Sequence, residues 1–212
     1  MGAVSADARF WDRFARRYAA SKIKDEAGYE RTLARTAELI HGMPSVLEVG
    51  CGTGTTALRL APSVGQLMAT DISGGMIAIA KEKAASQGCA NVTFAVAAPE
   101  AVEPGEGAFD AVLAFNLLHL LRDRAAALVH LRRLLKPGGL LITKTACLSE
   151  LSPLIRMAIP VMRGIRLAPY VSTFSSETLD RDMTDAGFTI LERGRHGTTK
   201  RDIRYFLVAR SV

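Results

Sequence analysis

The stretch Val46-Leu47-Glu48-Val49-Gly50-Cys51-Gly52-Thr53-Gly54-Thr55 joins an apolar segment to a glycine-rich turn and a helical pattern. Its first four residues have the character of a buried strand. Glycines at three alternate positions let the backbone bend sharply and approach a ligand with no Cβ in the way. Backbone N–H groups at the start of the following helix then face that ligand. The stretch therefore predicts a binding site for a nucleotide-type cofactor.

Strand-like and helical patterns alternate from this stretch onward. The predicted strands are 46–49, 66–69, 92–96, 111–115 and 140–143, and the predicted helices are 55–60, 75–87 and 125–135. Gly88 and the pair Gly138-Gly139 are predicted to end helices. Parallel strands joined through helices form a sheet covered on both faces, so we expect a doubly wound α/β domain. Ligands bind such sheets at the carboxyl ends of the strands. Four segments would meet at that edge: residues 50–54, Asp71, 97–100 and 116–119.

The two ends of the chain depart from this alternation. Residues 8–42 carry two helical patterns separated by a polar break at 21–25. The first pattern contains an aromatic stripe that we expect to pack in the core; its members are Phe10, Trp11, Phe14 and Tyr18. At the other end, Ser175 or Ser176 is expected to begin a helix that closes near Ala186. Two strands, 188–193 and 203–209, follow with no helix between them and must pair antiparallel.

For a sequence of 212 residues with this composition we expect one soluble, cytoplasmic domain. Three cysteines stand far apart without C-x-x-C spacing, so we expect neither a disulfide framework nor a zinc site. The first residues lack the pattern of a signal peptide, and no apolar run reaches membrane-spanning length. The net charge of +6 is spread as +2, +1 and +3 over residues 1–44, 45–148 and 149–212. Because no basic block is interleaved with aromatic residues, we do not expect a nucleic-acid partner.

Two classes of cofactor use a strand, a glycine turn and a helix in this way. A dinucleotide site typically requires G-x-G-x-x-G, whereas here Gly50 and Gly52 are followed by Thr55 in the place of the third glycine. Asp71, at the end of the second strand, can accept both hydroxyls of a ribose in either class. The glycine spacing therefore disfavours an NAD-dependent oxidoreductase, which stays as an alternative.

Four motifs, in order and spacing, resemble those of the class I S-adenosylmethionine-dependent methyltransferases. They are VLEVGCGTG (46–54), ATDIS (69–73), FDAVLAFNLLHLL (109–121) and LLKPGGLLI (134–142). The resemblance covers residues 45–145, and the flanking parts are similar to small bacterial methyltransferases acting on quinones, lipids or other small molecules. It implies a Rossmann-like sheet of seven strands in the order 3-2-1-4-5-7-6, with the last strand antiparallel. It also implies S-adenosylmethionine as the cofactor, without a metal ion.

The resemblance implies a role for each residue along the strand-end edge. The glycine loop would hold the methionine end of the cofactor; its residues are Gly50, Cys51, Gly52 and Gly54. Asp71 would hold the ribose, and Ile72 would lie against the adenine. Glu48, a carboxylate that is costly to bury alone, would brace the loop or bind the amino group indirectly. Tyr18 would close the cofactor site from the N-terminal helices, with Tyr29 as a further candidate.

One position departs from the family pattern. Family members commonly carry an aspartate after the third strand that accepts from the adenine amino group, and here Ala98 occupies that place. Backbone groups around Ala98 and Pro99 would then frame the base, or Glu100 would substitute. Weakened cofactor binding at this position would favour a non-catalytic cofactor-binding or interaction module.

Methyl transfer depends on alignment of the two reactants, and transfer to a hydroxyl also needs a base. His119 is the candidate general base, with a structural hydrogen bond as its alternative role. Asn116, three residues earlier, is assigned to the cofactor site. The Asn/Asp-Pro-Pro-aromatic run typical of methyltransferases of nucleobase or glutamine amines does not follow, which again disfavours nucleic acid.

We expect a single methyltransferase domain with four parts: a helical lid (1–44), a cofactor-binding core (45–148), a cap insertion (149–174) and a C-terminal helix with an antiparallel strand pair (175–212). The cap segment 151–170 is apolar but carries Arg156, Arg163 and Arg166. It is either a packed insertion with solvated arginines or a mobile cap that touches a membrane surface. The expected reaction is methyl transfer to oxygen or nitrogen of a small, hydrophobic or aromatic acceptor.

Overall fold

The computed structural model describes residues 6–103, 105–151, 169–199 and 202–212. Within these ranges the helices are α1 (Ala6–Ala19), α2 (Glu26–Ile40), α3 (Thr55–Leu60), α4 (Gly74–Gln87), α5 (Arg124–Leu134) and α6 (Ser176–Asp185). The strands are β1 (Ser45–Val49), β2 (Gln66–Asp71), β3 (Val92–Val96), β4 (Phe109–Phe115), β5 (Leu135–Ala146), β6 (Phe188–Gly194) and β7 (Arg204–Ser211).

All seven strands form one sheet in the order β3-β2-β1-β4-β5-β7-β6. The first five strands are parallel, and β7 runs antiparallel to both β5 and β6. Buried apolar side chains cover both faces, with α2, α3 and α4 contributing to one core and α5 and α6 to the other. The predicted doubly wound α/β fold, its strand order and its antiparallel last strand are confirmed. The carboxyl ends of β1 to β5 meet at one edge, where the site lies.

The aromatic stripe of α1 does not pack in the core, so that expectation was wrong. The buried residues of α1 are two alanines, Ala8 and Ala15, while Tyr18 is 49% exposed. Small side chains let α1 approach α4 closely, and a Cβ added to Gly75 would lie 3.4 Å from that of Ala15. The aromatic rings instead contact one another along the helix, with Trp11 and Tyr18 at a centroid distance of 6.2 Å.

The pair Gly138-Gly139 does not end a helix, which corrects a second expectation. Helix α5 ends at Leu134, and β5 begins at the next residue. The glycine pair lies inside β5, where the pairing with β4 shifts between Phe109 and Ala111. A Cβ on Gly139 would lie 3.0 Å from the carbonyl oxygen of Asp110. The glycines therefore permit an irregular, close strand contact.

The sheet also extends further than its sequence pattern indicates. Strand β5 continues past the predicted end at residue 143 and includes Lys144. Most of the expected cap, residues 152–168, lies outside the described ranges. Among the helices that are described, none has the length and apolar character needed to cross a membrane.

Candidate functional site

The glycine loop after β1 needs its glycines for two different reasons. Gly50, Gly52 and Gly54 have φ angles of 68°, 55° and 74°, which other residues rarely adopt. A Cβ on Gly50 would lie 2.7 Å from Leu117 Cδ1, and one on Gly54 would lie 2.8 Å from Phe94 Cζ. A Cβ on Gly52 would instead approach Tyr18 Cε1 at 3.6 Å. Gly50 and Gly54 thus permit close packing, while Gly52 keeps the space beneath Tyr18 open.

A cavity of about 450 Å³, here called the first cavity, opens beside this loop. It brings together eight of the sequence-predicted site residues: Tyr18, Gly50, Gly52, Asp71, Ile72, Ala98, Pro99 and Asn116. Further residues complete its wall, among them Trp11, Met76, Leu117, Leu121 and Tyr170. The predicted edge of the sheet therefore forms one continuous binding surface with a largely apolar wall.

Asp71 connects the ends of β1 and β2. Its Oδ2 accepts a hydrogen bond from Gly52 N and its Oδ1 accepts one from Ser73 N, both at 2.9 Å. Burial raises the pKa of this carboxyl despite these two bonds. Each carboxylate oxygen keeps a further lone pair. Asp71 can therefore hold the loop and accept from a ligand hydroxyl at the same time.

Glu48 lies behind the loop on β1 and is only 2% exposed. Its Oε2 has no hydrogen-bond partner among the described residues. Burial, together with the negative charge of Asp71, raises the pKa of Glu48 to about 8. A buried carboxylate without a partner is costly, and a nearby positive charge relieves that cost. Glu48 is not among the described residues that line the cavity. A positive charge brought close to Glu48 by a ligand would therefore act from beside it and favour its ionised form.

Residues directly after β4 and after β3 also line the first cavity. Asn116 has a φ of 52°, unusual for a residue other than glycine, and strain of this kind is frequent at functional sites. Its N–H donates to the carbonyl oxygen of Lys144 at 2.6 Å. Ala98 and Pro99 present backbone and apolar surface, and Glu100 lines the same cavity. No carboxylate occupies position 98, so Glu100 is the acidic group closest in sequence.

A second cavity of about 440 Å³ adjoins the first. Tyr18, Phe115 and Asn116 line both. Cys51 and Tyr29 line only the second, and the hydroxyl of Tyr29 forms a hydrogen bond of 3.1 Å with Thr56 Oγ1. Burial raises the pKa of the Cys51 thiol. Cys51 thus belongs to the second cavity and not to the one that contains Asp71.

His119 does not line either cavity, although the next residue, Leu120, lines the first. Its Nδ1 lies 3.0 Å from Thr145 Oγ1, and its carbonyl oxygen accepts from Ser172 N at 2.8 Å. Burial lowers the pKa of His119 to about 4. Among the described residues that line either cavity, His119 does not appear. The arrangement fits the structural alternative for His119 better than the role of a general base.

Sequence reasoning missed three polar residues of the site. Asp12 of α1 accepts hydrogen bonds through Oδ1 from Ser73 Oγ at 2.6 Å and Gly75 N at 2.9 Å. Lys144 and Arg204 line the second cavity. The available signal was a lysine directly after the apolar run of β5. Within the described ranges, no group of His, Cys, Asp and Glu side chains is placed to hold a metal ion.

Comparison with known proteins adds sequence relatives. Residues 46–139 match a family model described as a methyltransferase domain. Equisetin synthetase eqxS of Fusarium heterosporum is 33% identical over 118 residues, which cover 50% of this chain and 3% of that protein. The ubiquinone/menaquinone biosynthesis C-methyltransferase UbiE of Francisella tularensis subsp. tularensis is 31% identical over 117 residues, 53% of this chain and 46% of that protein. The chain therefore spans less than half the length of either relative.

The fold is shared with a solved methyltransferase. Magnesium protoporphyrin IX methyltransferase (ChlM) from Synechocystis PCC 6803 with bound SAH superposes with a TM-score of 0.71 and 20% identity, over 97% of this chain and 96% of that chain. At this identity the likeness concerns the fold alone. The four motifs, the strand order of the sheet and the methyltransferase-domain model matched by residues 46–139 together support a class I S-adenosylmethionine-dependent methyltransferase.

Proposed function

We propose that the protein transfers the methyl group of S-adenosylmethionine to oxygen or nitrogen of a small, hydrophobic or aromatic acceptor. The observation that carries this proposal is the unpartnered buried carboxylate of Glu48, close enough to Asp71 to feel its charge. S-adenosylmethionine brings a sulfonium and an ammonium group, and either charge would stabilise ionised Glu48. The pyrophosphate of a dinucleotide brings no positive charge and would not stabilise ionised Glu48, which argues against the NAD-dependent oxidoreductase.

The residues of the first cavity fit this cofactor. Gly50 and Gly52 would hold its methionine end through backbone groups, and Asp71 would accept from the ribose hydroxyls with its remaining lone pairs. Ile72 would lie against the base, which Ala98 and Pro99 would frame in the absence of an aspartate; Tyr18 and Asn116 would enclose the reacting end. When bound, the cofactor supplies an electrophilic methyl group, and these residues orient it and exclude water.

The acceptor is proposed from the character of the cavity wall. Trp11, Leu120, Leu121 and Tyr170 give the first cavity an apolar side suited to a hydrophobic or aromatic molecule. A carbon atom as acceptor is a second candidate, favoured by the likeness to UbiE, which is named as a C-methyltransferase. General-base catalysis by His119 would require a movement of its ring toward the cavity.

Calorimetric titration with S-adenosylmethionine, S-adenosylhomocysteine and NADH tests the proposal. We expect both sulfur compounds to bind and NADH to show no heat of binding. Binding of NADH alone would overturn the proposal, and binding of none would favour an interaction module. A screen of candidate acceptors, read out by release of S-adenosylhomocysteine, would then identify the acceptor class.

A further inference from the structure

The two cavities differ in the sign of the charges that line them. The charged residues lining the first cavity are Asp7, Asp71, Glu100, Arg122 and Asp123. Those lining the second, within the described part of the chain, are Lys22, Lys144 and Arg204, with no carboxylate among them. A cationic cofactor matches the first cavity, whereas the second is complementary to an anion.

Lys144 is the innermost of these cations and is 5% exposed. Its Nζ donates to Thr32 Oγ1 at 2.7 Å and to the carbonyl oxygen of Gly28 at 3.3 Å, both neutral acceptors. No carboxylate of the described residues forms an ion pair with it. The two nearest acidic groups, Asp25 and Asp202, are both paired with Arg204 at 2.9 Å.

The environment of Lys144 penalises its positive charge. Burial, with a smaller contribution from the positive charge of Arg204, lowers its pKa to about 8, although Asp202 and Asp25 act in the opposite direction. A buried ammonium group without a counter-ion gains stability when an anion enters beside it. An ammonium group has three N–H donors, and two of those on Lys144 have protein acceptors. One donor is therefore left for a ligand.

Hydroxyl groups around the second cavity add neutral donors. They come from Tyr18, Thr53 and Thr55. Tyr29 and Thr56, which share a hydrogen bond, add one more donor between them. Hydroxyls together with cations are the usual partners of carboxylate and phosphate oxygens. The lining of this cavity thus has the chemistry of an oxyanion site in both its charge and its hydrogen-bond donors.

We propose that the second cavity is an oxyanion subsite of the methyl-transfer site, in which Lys144 is the counter-ion of a carboxylate or phosphate group. This inference rests on the proposed function: Tyr18, Phe115 and Asn116 line both cavities, and Tyr18 and Asn116 are the residues proposed to enclose the reacting end of the cofactor. The oxyanion belongs either to the acceptor or to the methionine carboxylate of the cofactor. Two titrations separate these sources.

The first titration adds benzoate and inorganic phosphate to protein saturated with S-adenosylhomocysteine. If the oxyanion belongs to the acceptor, Lys144→Met should weaken binding of these anions by about tenfold or more, since hydrogen bonds to charged groups have that magnitude. Benzyl alcohol, which has the same ring without the charge, should show no such dependence. Lys136→Met is the matched control, because Lys136 lies at the opposite end of β5 and pairs with Asp110 at 2.6 Å.

The second titration compares S-adenosylmethionine with its decarboxylated analogue. If the subsite holds the cofactor's carboxylate, Lys144→Met should lower the affinity for S-adenosylmethionine about tenfold and leave the affinity for the analogue unchanged. Benzoate should then fail to bind the saturated wild type. If the acceptor supplies the oxyanion, the affinities of both cofactors should be unchanged by the substitution.

Lys22→Met tests the same cavity in case Lys144→Met fails to fold. Lys22 lines that cavity but is exposed, so its substitution should leave the fold intact. Loss of the Lys22 charge should lower the affinity for the anion that occupies the subsite by about twofold to threefold. Anion and cofactor affinities that are unchanged in every folded variant would overturn the subsite. Failure of the wild type to bind S-adenosylhomocysteine would instead contradict the proposed function alone, because the anions can be titrated into the free protein.

Discussion

At the scale of single residues, Glu48 is a buried carboxyl group on β1, two residues before the glycine loop. Its pKa is raised from 4.5 to about 8, so the folded protein keeps a proton that the unfolded chain loses. The stability linked to this proton is complete below the unfolded pKa and is lost as the pH rises toward 8. Glu48→Gln cannot ionise. Its free energy of unfolding relative to wild type should therefore rise by about 1–3 kcal/mol between about pH 5 and about pH 8.5.

Urea denaturation at the two pH values measures this difference, with the exposed Glu106→Gln as the control. Glu48→Gln should also lower the affinity for S-adenosylmethionine by about tenfold near pH 8.5, where ionised Glu48 in the wild type attracts the positive charges of the cofactor. A stability difference that is equal at both pH values would contradict the raised pKa. An unchanged cofactor affinity would separate Glu48 from the cofactor site.

His119 should titrate in the opposite direction. Its pKa is lowered from 6.5 to about 4 by burial, so its neutral form stabilises the fold above the unfolded pKa and this stability is lost as the pH falls through 4. His119→Gln should reduce the acid-induced loss of stability between about pH 6.5 and pH 4, while the exposed His41→Gln should not. Denaturation midpoints across that interval measure the effect. A pH–rate profile that loses an ionisation in His119→Gln would restore the general-base role.

Residues whose place is set by the strand and the turn after it were easier to predict than residues buried by distant parts of the chain. The spacing of Gly50, Gly52 and Asp71 follows from the strand and turn, and the structure brings all three to one cavity. Lys144 was missed because a lysine after an apolar run normally marks the solvent-exposed end of a strand. Its burial depends on α2, whose Gly28 and Thr32 come from a distant part of the chain.

At the scale of elements, Asp12 connects α1 to the start of α4. Asp12→Ala removes the acceptor of Ser73 Oγ and Gly75 N at the start of α4. The free energy of unfolding should fall by about 1 kcal/mol, and amide exchange in α1 should accelerate. Cofactor affinity should fall as well, because Trp11 and Tyr18 lie on the same helix. Asp12→Asn retains Oδ1 and should have a smaller effect, and Arg13→Ala on exposed surface should have none.

The glycine pair in β5 shows where sequence patterns reach their limit at this scale. Glycine after a helix is a common stop signal, and α5 does end nearby at Leu134. The same residues, however, serve the contact with Asp110 on β4, which is distant in sequence. Local pattern cannot distinguish a helix stop from a strand irregularity when both call for glycine. The order of all seven strands was available only through the family resemblance.

At the scale of the whole molecule, the sheet carries two cavities of opposite charge on its strand-end edge. The loop after β1 and the ends of β2 and β4 supply residues that line the first cavity, while α2, β5 and β7 supply residues that line the second. All of these strands belong to one hydrogen-bonded sheet. A ligand bound only by the folded state should therefore stabilise the entire fold and not the glycine loop alone.

S-adenosylhomocysteine at about one hundred times its dissociation constant should raise the free energy of unfolding by about 2.7 kcal/mol. For a chain of this size the melting temperature should rise by about 5–10 °C. Gly52→Ala should diminish this rise, because its Cβ would point toward Tyr18 across the cavity. Gly42→Ala is the matched control: Gly42 has a φ of 73° and nothing within 4 Å of an added Cβ. Both variants carry the same backbone strain, so an equal ligand-induced rise in the two would show that the loop does not contact the ligand.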